Sequence, residues 1–199
     1  MSVRHLLLML WALVSLSGCG GGSGNPLGNP QTVANPAGTT GQKLSFAYFQ
    51  ACVQPILIAP LPIEGGGGTN TCAAAGCHDS SNGTGGALRL AGAATRVDLA
   101  DPANTPELIR LTDMYRNFYS AQGVVLIGAP AQSLLLNKPR LINVLHGGGR
   151  IFSSADDGNV KRISYWINHP MPQGQDEFSA AGNALFTPAD PQTGTCNTP

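Results

Sequence analysis

The segment Cys72-Ala73-Ala74-Ala75-Gly76-Cys77-His78 contains two cysteines and, directly after the second, a histidine. Thiols form disulfides or bond to a ligand, and an imidazole nitrogen binds metal ions. Four residues separate the cysteines. Taken alone, the segment is compatible with a local disulfide beside an exposed histidine or with the attachment site of a metal-containing group. The rest of the chain is needed to choose between them.

Composition excludes one broad class of function. The chain has 199 residues, with 11 basic and 11 acidic side chains and a formal net charge of zero. No Lys/Arg cluster could follow a phosphate backbone, so we do not expect nucleic-acid binding. Glycine (26) and proline (15) are abundant and aromatic residues make up 6%. This composition predicts long loops around a modest core.

The beginning of the chain resembles a lipoprotein leader. Arg4 precedes an apolar run at residues 6–16, which is too short to span a bilayer and is typical of a signal peptide. Leu16-Ser17-Gly18-Cys19 resembles the bacterial lipobox, in which the cysteine is lipidated. Gly20 follows, and by resemblance this favours the outer membrane, on its periplasmic or cell-surface side. The alternative is a simple secretory signal. Both kinds of leader would place the chain outside the cytoplasm, where disulfides are tolerated.

The sequence divides into four regions. Residues 1–18 are the predicted signal peptide, and residues 19–43 form a Gly-, Pro- and Asn-rich flexible tether. Residues 44–170 form the predicted domain, and residues 171–199 form a polar tail that we expect to pack on it. Apolar side chains at Phe178, Leu185 and Phe186 are candidate anchors for the tail.

Local patterns predict a largely helical domain. Ser45 caps a predicted helix that ends before Pro55, and Ser154 caps a predicted helix that Pro170 ends. Apolar spacing on these helices places Phe46, Phe49 and Val53 on one face, and Val160, Ile163 and Ile167 on another, with Trp166 beside the latter. Further helices are predicted over residues 106–118 and 133–138. Short extended segments are predicted at Leu88/Leu90 and Val97/Leu99.

The cysteine segment also resembles the c-type haem motif C-x-x-C-H, with two additional residues between the cysteines. In that motif both thiols add to haem vinyl groups and the histidine binds the iron, usually with a second axial ligand from far along the chain. Candidates for the second ligand are His146, Met171, Met114 and His169. Met114 is expected in the core of its helix and His169 at a helix end.

Further motifs occur in the order found in planctomycete-type cytochrome c domains. They are Val53-Gln54-Pro55-Ile56-Leu57, Gly85-Gly86-Ala87-Leu88-Arg89-Leu90, Ser133-Leu134-Leu135-Leu136, His146-Gly147-Gly148-Gly149 and Trp166-Ile167. The resemblance covers roughly residues 45 to 168. The wider cysteine spacing and an insertion over residues 58–71 depart from the family pattern.

The resemblance implies a mainly α, small cytochrome c-like domain with long Gly/Pro-rich loops. It implies covalent haem c on Cys72 and Cys77, His78 as proximal ligand and His146 as distal ligand, with Met171 as the rival. Such a protein is an electron carrier and not an enzyme by itself. Its partners would be the membrane, through the lipid anchor, and an unidentified redox protein.

The remaining cysteines leave alternatives open. If Cys72 and Cys77 hold haem and Cys19 is lipidated, Cys52 and Cys196 remain as a disulfide pair; otherwise four cysteines allow three connectivities. A haem-free surface lipoprotein, stabilised by Cys72–Cys77 and Cys52–Cys196 disulfides and with a structural or interaction role, is the second hypothesis. A subunit whose haem serves a partner oxidoreductase is the third. A zinc site from Cys72, Cys77, His78 and His146 is chemically possible.

Overall fold

The structure, a computed structural model, describes residues 41–65 and 67–198. The predicted signal peptide, the lipidation site Cys19 and the tether up to residue 40 lie outside the described residues. The predicted domain (44–170) and tail (171–199) belong to one unit. Within the described part of the chain, no helix has the length and apolar character needed to cross a bilayer.

The first helical rod is longer than the sequence predicts. It comprises α1 (Phe46–Tyr48), a π-helical segment (Phe49–Val53) and α2 (Gln54–Ile58), and is called the N-terminal helix below. Ser45 caps it as predicted, accepting a hydrogen bond from the Tyr48 N–H. Pro55 does not end it, which corrects the sequence prediction. The wide π turn directly before Pro55 leaves room for the proline ring, which a regular α turn would crowd.

Two predicted helix boundaries are also wrong. The helix predicted over residues 106–118 is two helices, α3 (Pro106–Ile109) and α4 (Asp113–Gln122), because Thr112 caps a new helix through the Tyr115 N–H. The last helix, α6 (Gly158–Asn168), begins after Asp157 and not after Ser154. The Asp157 side chain accepts from the Asn159 N–H at 2.8 Å, while Ser154 instead accepts from the Asp156 N–H.

Smaller elements complete the described regular structure. A 3₁₀ turn (Pro130–Gln132) precedes α5 (Leu134–Asn137), where a short helix is predicted. Strands β1 (Leu61–Pro62) and β2 (Thr69–Asn70) form an antiparallel hairpin that the sequence does not predict. The extended segments predicted around Leu88 and Val97 are absent as strands from the described structure; an isolated bridge joins Asp79 and Leu90. The described fold is a small mixed one of helices and two two-stranded sheets.

An aromatic cluster joins the N-terminal helix to α4 and α6. Phe49 contacts Trp166 with a ring-centroid distance of 5.4 Å, and Phe118 of α4 lies 5.6 Å from Phe49. The Trp166 indole N–H donates to the Ser45 carbonyl at 3.0 Å. Phe49, Phe118, Trp166 and Ser45 are all buried. The predicted apolar faces of the N-terminal helix and of α6 are buried as well. The core therefore lies where these helices cross.

The tail packs on the domain. A 3₁₀ segment (Ala180–Leu185) leads into β3 (Phe186–Thr187), which pairs with β4 (Thr195–Cys196). Leu185 and Phe186 are buried and Phe178 is partly buried. Cys196 forms a disulfide with Cys52 of the π-helical segment. The tail is thus covalently tied to the N-terminal helix.

Candidate functional site

The segment from Cys72 to His78 folds into a closed loop. The His78 N–H donates to the Cys72 carbonyl at 2.9 Å, and the Cys77 N–H donates to the Ala74 carbonyl at 2.8 Å. At the start of the loop, the Thr71 hydroxyl donates to the Leu57 carbonyl at 3.1 Å, which ties it to the N-terminal helix. The two thiols are free in the structure. The local Cys72–Cys77 disulfide expected for a haem-free lipoprotein is therefore not formed.

His78 is buried and its ring has a defined orientation. Its Nδ1 lies 3.2 Å from the Leu88 carbonyl oxygen, which can only accept a hydrogen bond. Nδ1 therefore carries the proton, and Nε2 of the neutral ring keeps a free lone pair. The pKa of His78 is lowered from 6.5, first by burial and further by the charges of His146, Lys138 and Arg89, although the Leu88 hydrogen bond opposes the shift. The ring is thus held in the form that binds a metal.

Gly85 packs against the His78 ring. A Cβ atom at this position would lie 2.5 Å from Nδ1 of His78 and 2.7 Å from the Cys77 carbonyl oxygen. The Gly85 N–H itself donates to that carbonyl at 2.7 Å. Any side chain at this position would collide with both groups. Glycine therefore leaves room for the His78 ring to hydrogen-bond to the Leu88 carbonyl. The sequence motif Gly85-Gly86 carries this signal, but its contact with His78 is visible in the tertiary structure alone.

His146 has the same hydrogen-bonding arrangement as His78. Its Nδ1 lies 2.8 Å from the Gly149 carbonyl oxygen, so Nε2 is again the nitrogen left with a lone pair in the neutral ring. The Gly149 N–H donates back to the His146 carbonyl at 2.9 Å. Gly149 has φ of 75°, a conformation that favours glycine, and this closes the loop around His146.

The two histidine rings lie close together and nearly parallel. Their centroids are 6.2 Å apart and their planes differ by 12°. Two imidazoles that bind one metal ion from opposite sides, with metal–nitrogen bonds of about 2.0–2.1 Å, have centroids roughly 6 Å apart. The distance between the ring centroids of His78 and His146 is close to this value. Residues far apart in the sequence are brought together here as the resemblance implies.

A cavity of about 820 Å³ adjoins the histidine pair. Glycines occupy much of its wall, which leaves space for a flat ligand, and its described lining contains no carboxylate. Its lining residues are Ile63, Asn70, Gly76, Cys77, His78, Thr84, Gly85, Gly86, Lys138, Leu145, His146, Gly147, Gly148 and Gly149. Its volume lies in the upper range of pockets for small molecules and cofactors.

The β1/β2 hairpin supplies one wall of this cavity. Ile63 and Asn70 line it, and the Asn70 side-chain amide lies 3.6 Å from the Cys77 sulfur. The Glu64 N–H donates to the Arg150 carbonyl at 2.9 Å, and the two side chains form an ion pair at 3.2 Å. The insertion over residues 58–71 is thus a structural part of the site that joins the hairpin to the His146 loop. The sequence gives little signal for it, because each strand has two residues.

The other candidate ligands lie elsewhere. Met171 is 1% exposed, its N–H donates to the Lys43 carbonyl, and it does not line the cavity. Met114 is in the core and His169 ends α6, as the sequence predicts. Among residues 41–65 and 67–198, no group of three or more His, Cys, Asp or Glu side chains is arranged to hold a metal ion.

Comparison with known proteins leaves this geometry as the basis for assigning function. No family model matches the chain, and no curated protein and no solved structure is significantly similar to it.

Proposed function

We propose that this protein is a monohaem c-type cytochrome that carries single electrons outside the cytoplasm. The observation that carries the proposal is the pairing of His78 and His146, whose rings are nearly parallel with centroids 6.2 Å apart beside a cavity of about 820 Å³. The motif order shared with planctomycete-type cytochrome c domains supports the same function, as does the Phe49–Trp166 contact between the first and last helices.

The donor set fits a haem. Cys72 and Cys77 are the thiols available for covalent attachment, and His78 and His146 would hold the iron through Nε2. Each Nδ1 is fixed by a backbone carbonyl, which is the usual support of a metal-binding histidine because it sets the tautomer and the ring orientation. Haem supplies a one-electron couple between ferric and ferrous iron.

The surrounding residues favour electron transfer over catalysis. Two imidazole ligands leave no open coordination position, so oxygen or peroxide would have no site at the iron. His78 is buried, so water has little access to its ring. Leu145, next to His146, is 92% exposed and lines the cavity, so one edge of the group would stay close to solvent and to a redox partner.

The proposed location outside the cytoplasm rests on the leader sequence. Lipidation at Cys19 would hold the domain at the outer membrane, with residues 19–43 as the tether. The Cys52–Cys196 disulfide supports a compartment outside the cytoplasm, because thiols inside it are usually kept reduced.

The test is haem content in protein from cells that have the cytochrome c maturation machinery. We expect a haem-stained band in a denaturing gel and an intact mass that includes one haem. The matched control is His169→Ala, which removes a histidine exposed at the end of α6 and should leave haem content unchanged. A colourless protein without the added mass would contradict the proposal.

A further inference from the structure

The cavity of about 820 Å³ beside the histidine pair contains a lysine in its wall. Lys138 lines the cavity, and the described lining includes no acidic side chain. Within residues 41–65 and 67–198, the side-chain ion pairs are made by other residues and do not include Lys138. Lys138 is half-buried. A cation that is partly removed from water is stabilised when an anion lies beside it, and the protein supplies no such anion here.

Two further polar side chains of the lining already have partners within the protein. The Thr84 hydroxyl donates to a backbone carbonyl at 3.0 Å. The Asn70 side-chain oxygen accepts from the Thr71 N–H at 2.9 Å, and its amide group lies 3.6 Å from the Cys77 sulfur. The Lys138 ammonium group has three N–H donors and a full positive charge. Lys138 is therefore the side chain of the lining that is best suited to bind an anionic group in the cavity.

The backbone at Lys138 is held in place next to the loop that carries His146. The Lys138 N–H donates to the Leu134 carbonyl at 3.1 Å, at the end of α5. The carbonyl of the following residue, Pro139, accepts from the Ile151 N–H at 2.8 Å, just after the His146 loop. The ammonium group is thus attached to a fixed point of the same wall that holds the distal histidine.

We propose that Lys138 binds a haem propionate, so that its ammonium group and one haem carboxylate form an ion pair in the cavity. The inference rests on the proposed function. A haem is flat and largely apolar except for two propionate groups, which are ionised at neutral pH as other carboxylates are. The wall offers glycines and the apolar side chains of Ile63 and Leu145 to the ring, and it offers Lys138 to a carboxylate. The lysine would fix the rotation of the haem about the axis that the two histidines define.

The first test uses the unaltered full-length holoprotein. A carbodiimide joins a carboxylate to an amine that is paired with it, forming an amide bond with the loss of one water. Peptide mapping after this treatment should find the haem-bearing peptide linked to the peptide that contains Lys138. A holoprotein in which Lys138 is not linked to haem would overturn the inference and leave the proposed function intact. Absence of haem from the protein would overturn both.

Binding of non-covalent haem provides a quantitative test. The parent is the full-length haem-free chain with Cys72→Ser and Cys77→Ser, which forms no thioether bond. It is titrated with ferric haem and with ferric haem dimethyl ester, in which both propionates are neutral. Lys138→Gln should weaken the binding of haem about tenfold, which is the size of one hydrogen bond to a charged group, and leave that of the ester within about twofold. Lys138→Arg keeps the charge and should retain most of the affinity for haem.

The matched control is Lys161→Gln. Lys161 lies on α6, pairs with Asp156 at 3.9 Å and does not line the cavity. This variant should bind both ligands as the parent does. If Lys138→Gln weakened the binding of haem and of its dimethyl ester equally, the effect would come from altered packing and the propionate contact would be refuted. An unchanged affinity of Lys138→Gln for haem would refute it as well.

Discussion

The imidazole rings of His78 and His146 lie with centroids 6.2 Å apart and planes 12° from parallel. Each ring also donates from Nδ1 to a backbone carbonyl, of Leu88 in one case and Gly149 in the other. This symmetry leaves the two Nε2 atoms as the free nitrogens of the pair. It also provides the basis for testing which side chains hold the proposed haem.

Replacement of the distal histidine should change the spectrum of the holoprotein. We expect His146→Ala to lose the low-spin absorption bands, because one axial nitrogen is removed. Met171→Ala should keep these bands and instead lower the free energy of unfolding by about 2–5 kcal/mol, since Met171 is almost fully buried beside Gly182. Visible spectra and urea unfolding of both variants provide the measurements.

The same two variants can contradict the assignment of His146 as the distal ligand. Low-spin bands retained in His146→Ala and lost in Met171→Ala would assign the sixth ligand to Met171. That outcome would require the segment around residue 171 to leave its present contacts with Lys43.

Two glycines near the histidines should respond differently to alanine. Gly85→Ala places a Cβ 2.5 Å from Nδ1 of His78, so we expect a loss of about 1–3 kcal/mol in unfolding free energy and a displaced ring. Gly147→Ala is the matched control, because its Cβ would meet nothing within 4 Å. Circular dichroism during urea unfolding measures both. Equal effects of the two substitutions would show that the contact between Gly85 and His78 is not made.

The buried His78 should make the stability of the haem-free protein depend on pH. Its pKa is lowered in the folded state, mainly by burial, so below about pH 6.5 the unfolded chain takes up a proton that the folded chain resists. The free energy of unfolding should therefore fall as the pH falls below 6.5. His78 contributes at most about 1.4 kcal/mol per pH unit to this decrease. Above pH 6.5 the titration of His78 should not affect stability.

The variant His78→Gln isolates this contribution. The charged and titratable groups near His78, which are His146, Lys138 and Arg89, are present in both proteins. The pH dependence measured by urea unfolding should be shallower in the variant between pH 5 and 6.5, as roughly expected from the linkage of one proton. Identical profiles would mean that His78 is solvated in the folded protein.

The Cys52–Cys196 disulfide should stabilise the whole domain. It joins residues 144 positions apart and ties the tail to the N-terminal helix. The double replacement Cys52→Ala/Cys196→Ala should lower the free energy of unfolding by about 2–5 kcal/mol, because a long loop in the unfolded chain is no longer closed. A reductant should lower the melting temperature of the wild type and leave that of the double variant unchanged. An equal response of both to the reductant would assign the effect to another group.

Several boundaries could not be predicted because neighbouring turns compete for the same backbone groups. Proline at position 55 normally favours a helix end, but the π segment before it allows the helix to continue to Ile58. Thr112 begins a new helix within the single helix that the start signal at residues 104–107 predicts to run to residue 118. Asp157 and not Ser154 caps α6. At the start of α6 both Ser154 and Asp157 accept a backbone N–H, and the helix begins after Asp157.

The sequence alone determined the local features: the capping of the first helix by Ser45, the apolar faces of the first and last helices, and the adjacency of Cys77 and His78. These depend on residues a few positions apart, so short-range stereochemistry specifies them. The tertiary structure decided which distant groups meet. It pairs His78 with His146, makes the inserted hairpin a wall of the cavity, and brings both cysteines of the motif beside the two histidines. Those relationships depend on packing between separate segments, which local pattern does not encode.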